Sequence, residues 1–180
     1  MTHQVAVVVT GAVAADLPEL ARVAAITFPL ACPPSVTPEN VQAFIDENLT
    51  EARFADYLDD PDRQVLVARH DERIIGYALL IRGVLDDDGV QRAVTARPAV
   101  EISKIYVLPD NHGSGAAAAL MAEALERAGK SDAKCVWLGV NQHNQRAQRF
   151  YAKHGFTISG TKTFRLGTRI ENDYVMVRPV

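Results

Sequence analysis

The stretch Glu101-Ile102-Ser103-Lys104-Ile105-Tyr106-Val107-Leu108-Pro109-Asp110-Asn111-His112-Gly113-Ser114-Gly115-Ala116-Ala117 constrains this chain more than any other. It reads as a strand that passes through a glycine turn into a helix running to Ala128, with Gly129 as the expected residue just past its end. A helix start leaves backbone N–H groups unpaired. The helix dipole adds about half a positive charge at the same place. Together they make an anion site suited to a pyrophosphate. Gly113, Gly115, Ala116 and Ala117 carry almost no side chain, so a ligand can reach the backbone there. The same residues would also serve a plain turn, with the alanines packed tightly against a strand.

Gly113-Ser114-Gly115-Ala116-Ala117-Ala118 also matches the dinucleotide fingerprint G-x-G-x-x-G/A. Three features count against that reading. Pro109-Asp110-Asn111-His112 separate the strand from the first glycine. The next strand ends Leu138-Gly139-Val140-Asn141, where an acid should meet the ribose. The unit also comes late, with little parallel βαβ pattern before it.

The remaining chain alternates its periods. Residues 4–10 are Val-rich and read as a strand; Asp16 is placed to cap a helix to about Phe28, which Pro29, Pro33 and Pro34 close. Thr37-Pro38-Glu39 starts a second helix, and residues 51–59 form a third. Gln64 to Arg69 and Ile74 to Ile81 are strands turned by Asp71-Glu72. Leu85 to Pro98 reads as a loop, and Val100 to Leu108 and Lys134 to Val140 as strands. Asn144 to His154 is a helix closed by Gly155. Phe156–Ser159, Lys162–Leu166 and Tyr174–Val177 are three short final strands. The expected fold class is α+β, a single domain over residues 1–180 with a mixed, largely antiparallel sheet and helices on both faces.

Charge and cysteine usage narrow the function. At 180 residues one domain buries roughly 70% of its unfolded surface and needs no staple. A net charge of −3 argues against a general nucleic-acid binder. Cys32 and Cys135 do not form a disulfide framework, which fits a reducing compartment. No apolar run approaches the ~18 residues of a membrane span, and the N-terminus lacks signal-peptide order. The expectation is a cytoplasmic protein, with no membrane partner and a homodimer as the default for its size. No His, Cys, Asp and Glu set shows zinc spacing, so no metal is expected.

In two blocks the chain resembles the GNAT superfamily of N-acetyltransferases. His112-Gly113-Ser114-Gly115-Ala116-Ala117 fits the family loop Q/R-x-x-G-x-G/A, with His112 standing where Gln or Arg is usual, and Ile105 and Val107 match the strand end before it. Asn144, Ala147, Phe150, Tyr151, Lys153, Gly155 and Phe156 match the block N-x-x-A-x-x-F-Y-x-K-x-G-F. The resemblance implies acetyl-CoA as cofactor, held by Ile105, Tyr106, Val107, His112, Gly113, Ser114, Gly115, Ala116, Ala117, Asn144, Ala147 and Tyr151. It implies the backbone N–H of Val107 as the donor to the carbonyl oxygen. The terminal segments Gly160–Phe164 and Asp173–Met176 look like the bacterial polyamine acetyltransferase branch.

Acetyl transfer to an amine needs a base. A primary alkyl amine with a pKa of about 10.4 is only about 0.1% neutral at about pH 7.4, which costs roughly 4 kcal/mol. Glu101, at the start of the strand that leads into the cradle, is the candidate base, directly or through water. Tyr151 stands where the family places the acid for the departing thiolate. The segment 29–60 usually forms the acceptor wall in this family. It holds Glu39, Asp46, Glu47, Glu51, Asp56, Asp59 and Asp60 against Arg53 alone, which favours a cationic small-molecule amine such as a polyamine. Peptide N-termini, lysine and amino-sugars are alternative acceptors, and a non-catalytic acyl-CoA-binding module is the alternative from another class.

Overall fold

The computed structural model describes residues 6–180. One sheet has the strand order β1 (Val8–Gly11), β2 (Arg63–His70), β3 (Arg73–Arg82), β4 (Ala99–Val107), β5 (Cys135–Asn141), β7 (Arg169–Pro179) and β6 (Thr157–Leu166). Every neighbouring pair is antiparallel except β4 and β5. A parallel pair needs a crossover, and α5 (Ala116–Lys130) supplies it. Helices α1 (Leu17–Ala31), α2 (Pro38–Asn48) and α3 (Glu51–Asp59) cover one face of the sheet. Helices α5 and α6 (Gln145–Lys153) cover the other. The short α4 (Asp88–Ala93) packs on β6 and β7, over Trp137 and Val175. The fold is the expected α+β arrangement of a mixed, largely antiparallel sheet between helices.

Local chemistry explains most boundaries. Thr37 and Thr50 cap α2 and α3 by accepting from the N–H of Asn40 and Arg53. Asp71 and Glu72 both take positive φ, 51° and 65°, in the tight β2–β3 turn. The buried faces of α1 and α5 keep helical spacing: Leu20, Val23, Ala24 and Phe28 on α1, and Leu120, Met121, Ala124 and Ala128 on α5. Glu123 and Arg127 form an i,i+4 pair on α5, at 2.9 Å.

The structure corrects several sequence readings. β1 begins at Val8, and Gln4 and Val5 lie outside the described residues. Asp16 precedes α1 but makes no side-chain cap; its carboxylate accepts from Val13 N–H and pairs with Arg69 at 2.7 Å. Helix α1 runs through Pro29 to Ala31, since a proline so near the end removes only one ladder bond. The loop from Leu85 contains α4, capped by Asp87 and held by burial of Val90 and Ala93, a six-residue element too short to show a period. Helix α5 starts at Ala116 and carries Gly129 inside it, with Ser131 as its C-cap. Phe156–Ser159 and Lys162–Leu166 do not form separate strands. Residues 157–166 are the single strand β6, bulged between Ile158 and Gly160, and Ser159 Oγ there donates to Ala93 O at 2.7 Å.

A second bulge positions the site. On β4 the register jumps from Leu80↔Ile102 to Leu79↔Lys104, leaving Ser103 as the extra residue. Side chains alternate along a regular strand, so Glu101 and Lys104 would face opposite sides. The extra residue puts both, with Tyr106, on the α1 face, opposite Ile81, Leu79 and Tyr77.

Candidate functional site

The parallel pairing of β4 with β5 stops after three residues, at Glu101↔Trp137. Beyond it β4 stays with β3 as far as Val107, and β5 stays with β7 as far as Asn141. The bulge at Ser103 adds local twist to β4 where the two strands part. A cavity of about 690 Å³ opens in the gap. Its walls include Glu101, Ile105, Tyr106, Val107, His112, Gly113, Gly115, Ala116, Ala117, Asn144, Ala147 and Tyr151. Ser114 does not border the cavity. Its N–H donates to Asn111 O and its Oγ accepts from Ala116 N–H, so it braces the turn from behind.

At one end lies the cradle. Gly113 and Gly115 take φ of +86° and +89°, a conformation costly for any side chain. A Cβ on either would stand in open space, with nothing within 4 Å. The α5 ladder begins only at Ala119 N–H, which donates to Gly115 O. Among the described residues, the N–H groups of Gly113, Gly115, Ala117 and Ala118 have no such partner. Backbone donors, a helix N-terminus and vacant volume therefore meet, as a pyrophosphate requires.

His112 ties this loop to the strand. The Val107 carbonyl can only accept, so His112 Nε2 carries the proton and donates to it at 3.0 Å. His112 Nδ1 then accepts from Arg146 Nη2 at 3.4 Å. Arg146 also lines the cavity, and it brings a cation to the cradle that sequence reading missed. The available signal was its place in the first turn of α6, where a cation opposes the helix dipole. Asn144 caps the same helix by accepting from Ala147 N–H at 3.1 Å.

Along the gap, the edge of β4 is open. Leu108 N–H donates to Ile75 O on β3, so the Val107 amide, one residue earlier, faces the gap. Tyr151 reaches the cavity from α6 and packs on Phe150 and Phe156; burial pushes its phenol up to about 12. Tyr106 lies on the α1 face, and burial raises its phenol even further.

The α1 face of the cavity carries the charge. Glu101 is 8% exposed. Burial raises its pKa, partly opposed by Lys104, Lys162 and Arg63. Lys162 on β6 pairs with Asp173 on β7 at 3.3 Å, with side chains 8% and 10% exposed. Glu171, two residues earlier on the same face, pairs with Arg169 at 2.7 Å. Gly139 on β5 backs the Lys162 pair: a Cβ there would collide with Lys162 Cε and stand 3.2 Å from Asp173 Oδ2. Lys104, Lys162, Glu171 and Asp173 went unnoticed in sequence. For Glu171 and Asp173 the signal was two acids at period 2 in the last strand.

Of the acidic wall, only Asp56 and Asp60 border a cavity, a smaller one beside the main cleft. Of segment 29–60, the main cleft is bordered by Leu30, Ala31, Cys32 and Pro33. None of its seven acids lines the main cleft; all except Asp60 are exposed, on the outer sides of α2 and α3. Asp56 and Asp60 pair with Arg53 and Arg63, and the other five face water. Cys32 stays protonated at the cavity mouth, its thiol pushed up to about 11 by burial and then by Glu171.

Residues 30–156 match the sequence profile described as the acetyltransferase (GNAT) family. A Mycobacterium tuberculosis protein named as an uncharacterized N-acetyltransferase is 62% identical over 163 residues, covering 91% of this chain and 97% of that protein. Among solved structures, a PaiA N-acetyltransferase from Thermoplasma acidophilum in complex with coenzyme A superposes with a TM-score of 0.76. It is 18% identical, over 97% of this chain and 99% of that one. A GCN5-related N-acetyltransferase from Rhodopseudomonas palustris gives 0.75 at 18% identity, covering 100% and 99%. Among the described residues no helix is long and apolar enough to cross a membrane.

Proposed function

Since the chain belongs to the acetyltransferase (GNAT) family and is an acetyl-CoA-dependent N-acetyltransferase, we propose that it acetylates a small primary amine by direct attack, with Glu101 as base and Tyr151 as acid. The observation that carries this reading is the position of Glu101. It is a buried carboxylate where β4 and β5 part, in one cavity with the glycine cradle and Tyr151.

Acetyl-CoA supplies the acyl group as a thioester. The cradle fits its pyrophosphate: left-handed glycines, unpaired amides and Arg146 surround open volume. The unpaired edge of β4 fits the pantetheine arm. Val107 N–H is aimed to hold the thioester carbonyl oxygen as charge develops on it. Glu101 takes the proton from the attacking nitrogen, and burial, by raising its pKa toward neutrality, makes it a better base. Tyr151, kept protonated by burial, donates to the sulfur as the C–S bond breaks. The two free cysteines, Cys32 and Cys135, support a cytoplasmic location.

The acceptor is narrowed by what reaches the cavity. The exposed acids of α2 and α3 can steer a cation such as a polyamine toward the molecule. Inside, Glu171 and Asp173 are already paired, which leaves Glu101 as the acid open to an amine. Thiol release from acetyl-CoA across spermidine, spermine, lysine, an amino-sugar and a short peptide tests the reading. Acceptor-dependent release supports amine transfer, and the preferred member names the class. Tight acetyl-CoA binding without release on any amine would overturn it.

A further inference from the structure

Lys104 is an acceptor-side cation with no carboxylate within ion-pair distance among the described residues. Among the described residues lining the cleft and the adjoining cavity, Lys162 pairs with Asp173, Arg53 with Asp56 and Arg63 with Asp60, while Arg146 sits against His112 at the cradle end. Lys104 forms no ion pair. Its Nζ donates to Ser103 O at 3.2 Å and Ser103 Oγ at 3.4 Å, and sits 5.4 Å from the centre of the Phe44 ring. These partners are all neutral, and the ammonium is partly withdrawn from water.

The position is as informative as the missing partner. The β4 bulge turns Lys104 onto the same face as Glu101, three residues away. Ser103 and Lys104 line both the main cleft and a second cavity of about 330 Å³, where Arg53 and Arg63 stand with their partners Asp56 and Asp60 beside Tyr57. An acceptor whose amine reaches Glu101 therefore lays its next few atoms against Lys104. A polyamine would put a second ammonium there, against a like charge.

We propose that Lys104 binds an anionic group of the acceptor, a carboxylate or a phosphate, so that the substrate is a small zwitterionic amine held between Lys104 and Glu101. This rests on the acetyl-transfer reading above. Burial lowers the Lys104 pKa, and Glu101 opposes that shift. A bound anion adds to the opposition and keeps the ammonium charged.

Matched acceptors test it on the unaltered protein: lysine against cadaverine, phenylalanine against phenethylamine, and phosphoethanolamine against ethanolamine. The anion-bearing member of at least one pair is expected to win by about tenfold to a hundredfold in kcat/KM, the range for a hydrogen bond between charged groups. Preference in the first two pairs assigns a carboxylate, and preference in the third a phosphate. Lys104→Met should erase the preference through acceptor KM and leave the KM for acetyl-CoA unchanged, and Lys104→Arg should retain most of it. Equal or better use of the plain amines, or a preference that survives Lys104→Met, overturns the assignment. Calorimetric binding of the N-acetylated form of each pair member to protein loaded with coenzyme A reads the same contact without turnover. Anion-dependent binding without turnover would sink the transfer reading alone. Turnover without any anion dependence would sink the Lys104 assignment alone.

Discussion

Glu101 and Trp137 are the last residues paired across the single parallel ladder of the sheet. Trp137 is fully buried and pinned by its Nε1 donating to Gly83 O at 3.0 Å. The carboxylate opposite it is therefore fixed at the point where the strands diverge, buried yet facing the cleft. With Glu101 as the proposed base, that placement sets stability and turnover against each other.

Glu101→Gln should lower kcat by about a hundredfold, the usual scale for losing a general base. Wild-type kcat should rise with pH through the raised Glu101 pKa, and the variant should lack that limb. Stability moves the other way. A carboxyl whose folded pKa is raised stabilises below its unfolded pKa, and that contribution is lost as pH rises through the folded value. The Gln variant should thus melt at an equal or higher temperature at neutral pH, with the difference vanishing in acid. Thermal scans at both pH values alongside the rate profile check both halves.

Tyr151→Phe should lower kcat by about a hundredfold while the dissociation constant for coenzyme A changes little. Because burial holds the phenol near 12, wild-type activity should show no alkaline fall while the fold survives. A wild-type profile that falls between neutral pH and mildly alkaline pH would remove Tyr151 as the proton donor.

Gly115→Ala and Gly129→Ala should separate the two uses of glycine on α5. At Gly115, φ is +89°, so a side chain costs about 1–2 kcal/mol and projects into the cradle. Coenzyme A affinity should fall along with the melting temperature. Gly129 lies within the helix, where a Cβ would rest 3.8 Å from Val180 Cγ1, an ordinary contact. Alanine there should stabilise by about 0.5–1 kcal/mol and leave affinity unchanged. Calorimetry with coenzyme A and thermal melts read the contrast.

Asp173→Asn should destabilise the protein by about 3 kcal/mol, because it strands Lys162 in a site closed on one side by Gly139. Asp173→Asn with Lys162→Met should recover much of that loss. Chemical denaturation of the two single variants and the double closes the cycle. Additive losses would show that the pair is not coupled.

The sequence by itself determined the cradle, the α+β class and the order of most elements. These depend on local rules: unpaired amides at a helix start, glycine where φ turns positive, Thr caps, and apolar periods of two and 3.6. It also singled out Tyr151 by its place in the Asn144–Phe156 block and Glu101 as the carboxylate at the start of the strand that leads to the cradle. The α4 helix and the continuous β6 were not legible, because Val90, Ala93 and Gly160 are held by packing against distant residues rather than by neighbours in the chain. The acid-rich segment misled because composition counts charges without saying which way they face. Only the tertiary structure kept those acids out of the main cleft, parted β4 from β5 after Glu101, and used the extra residue Ser103 to set Lys104 on the same face as Glu101. A bulge and a strand divergence arise from pairing between strands far apart in sequence, so no window along the chain contains them.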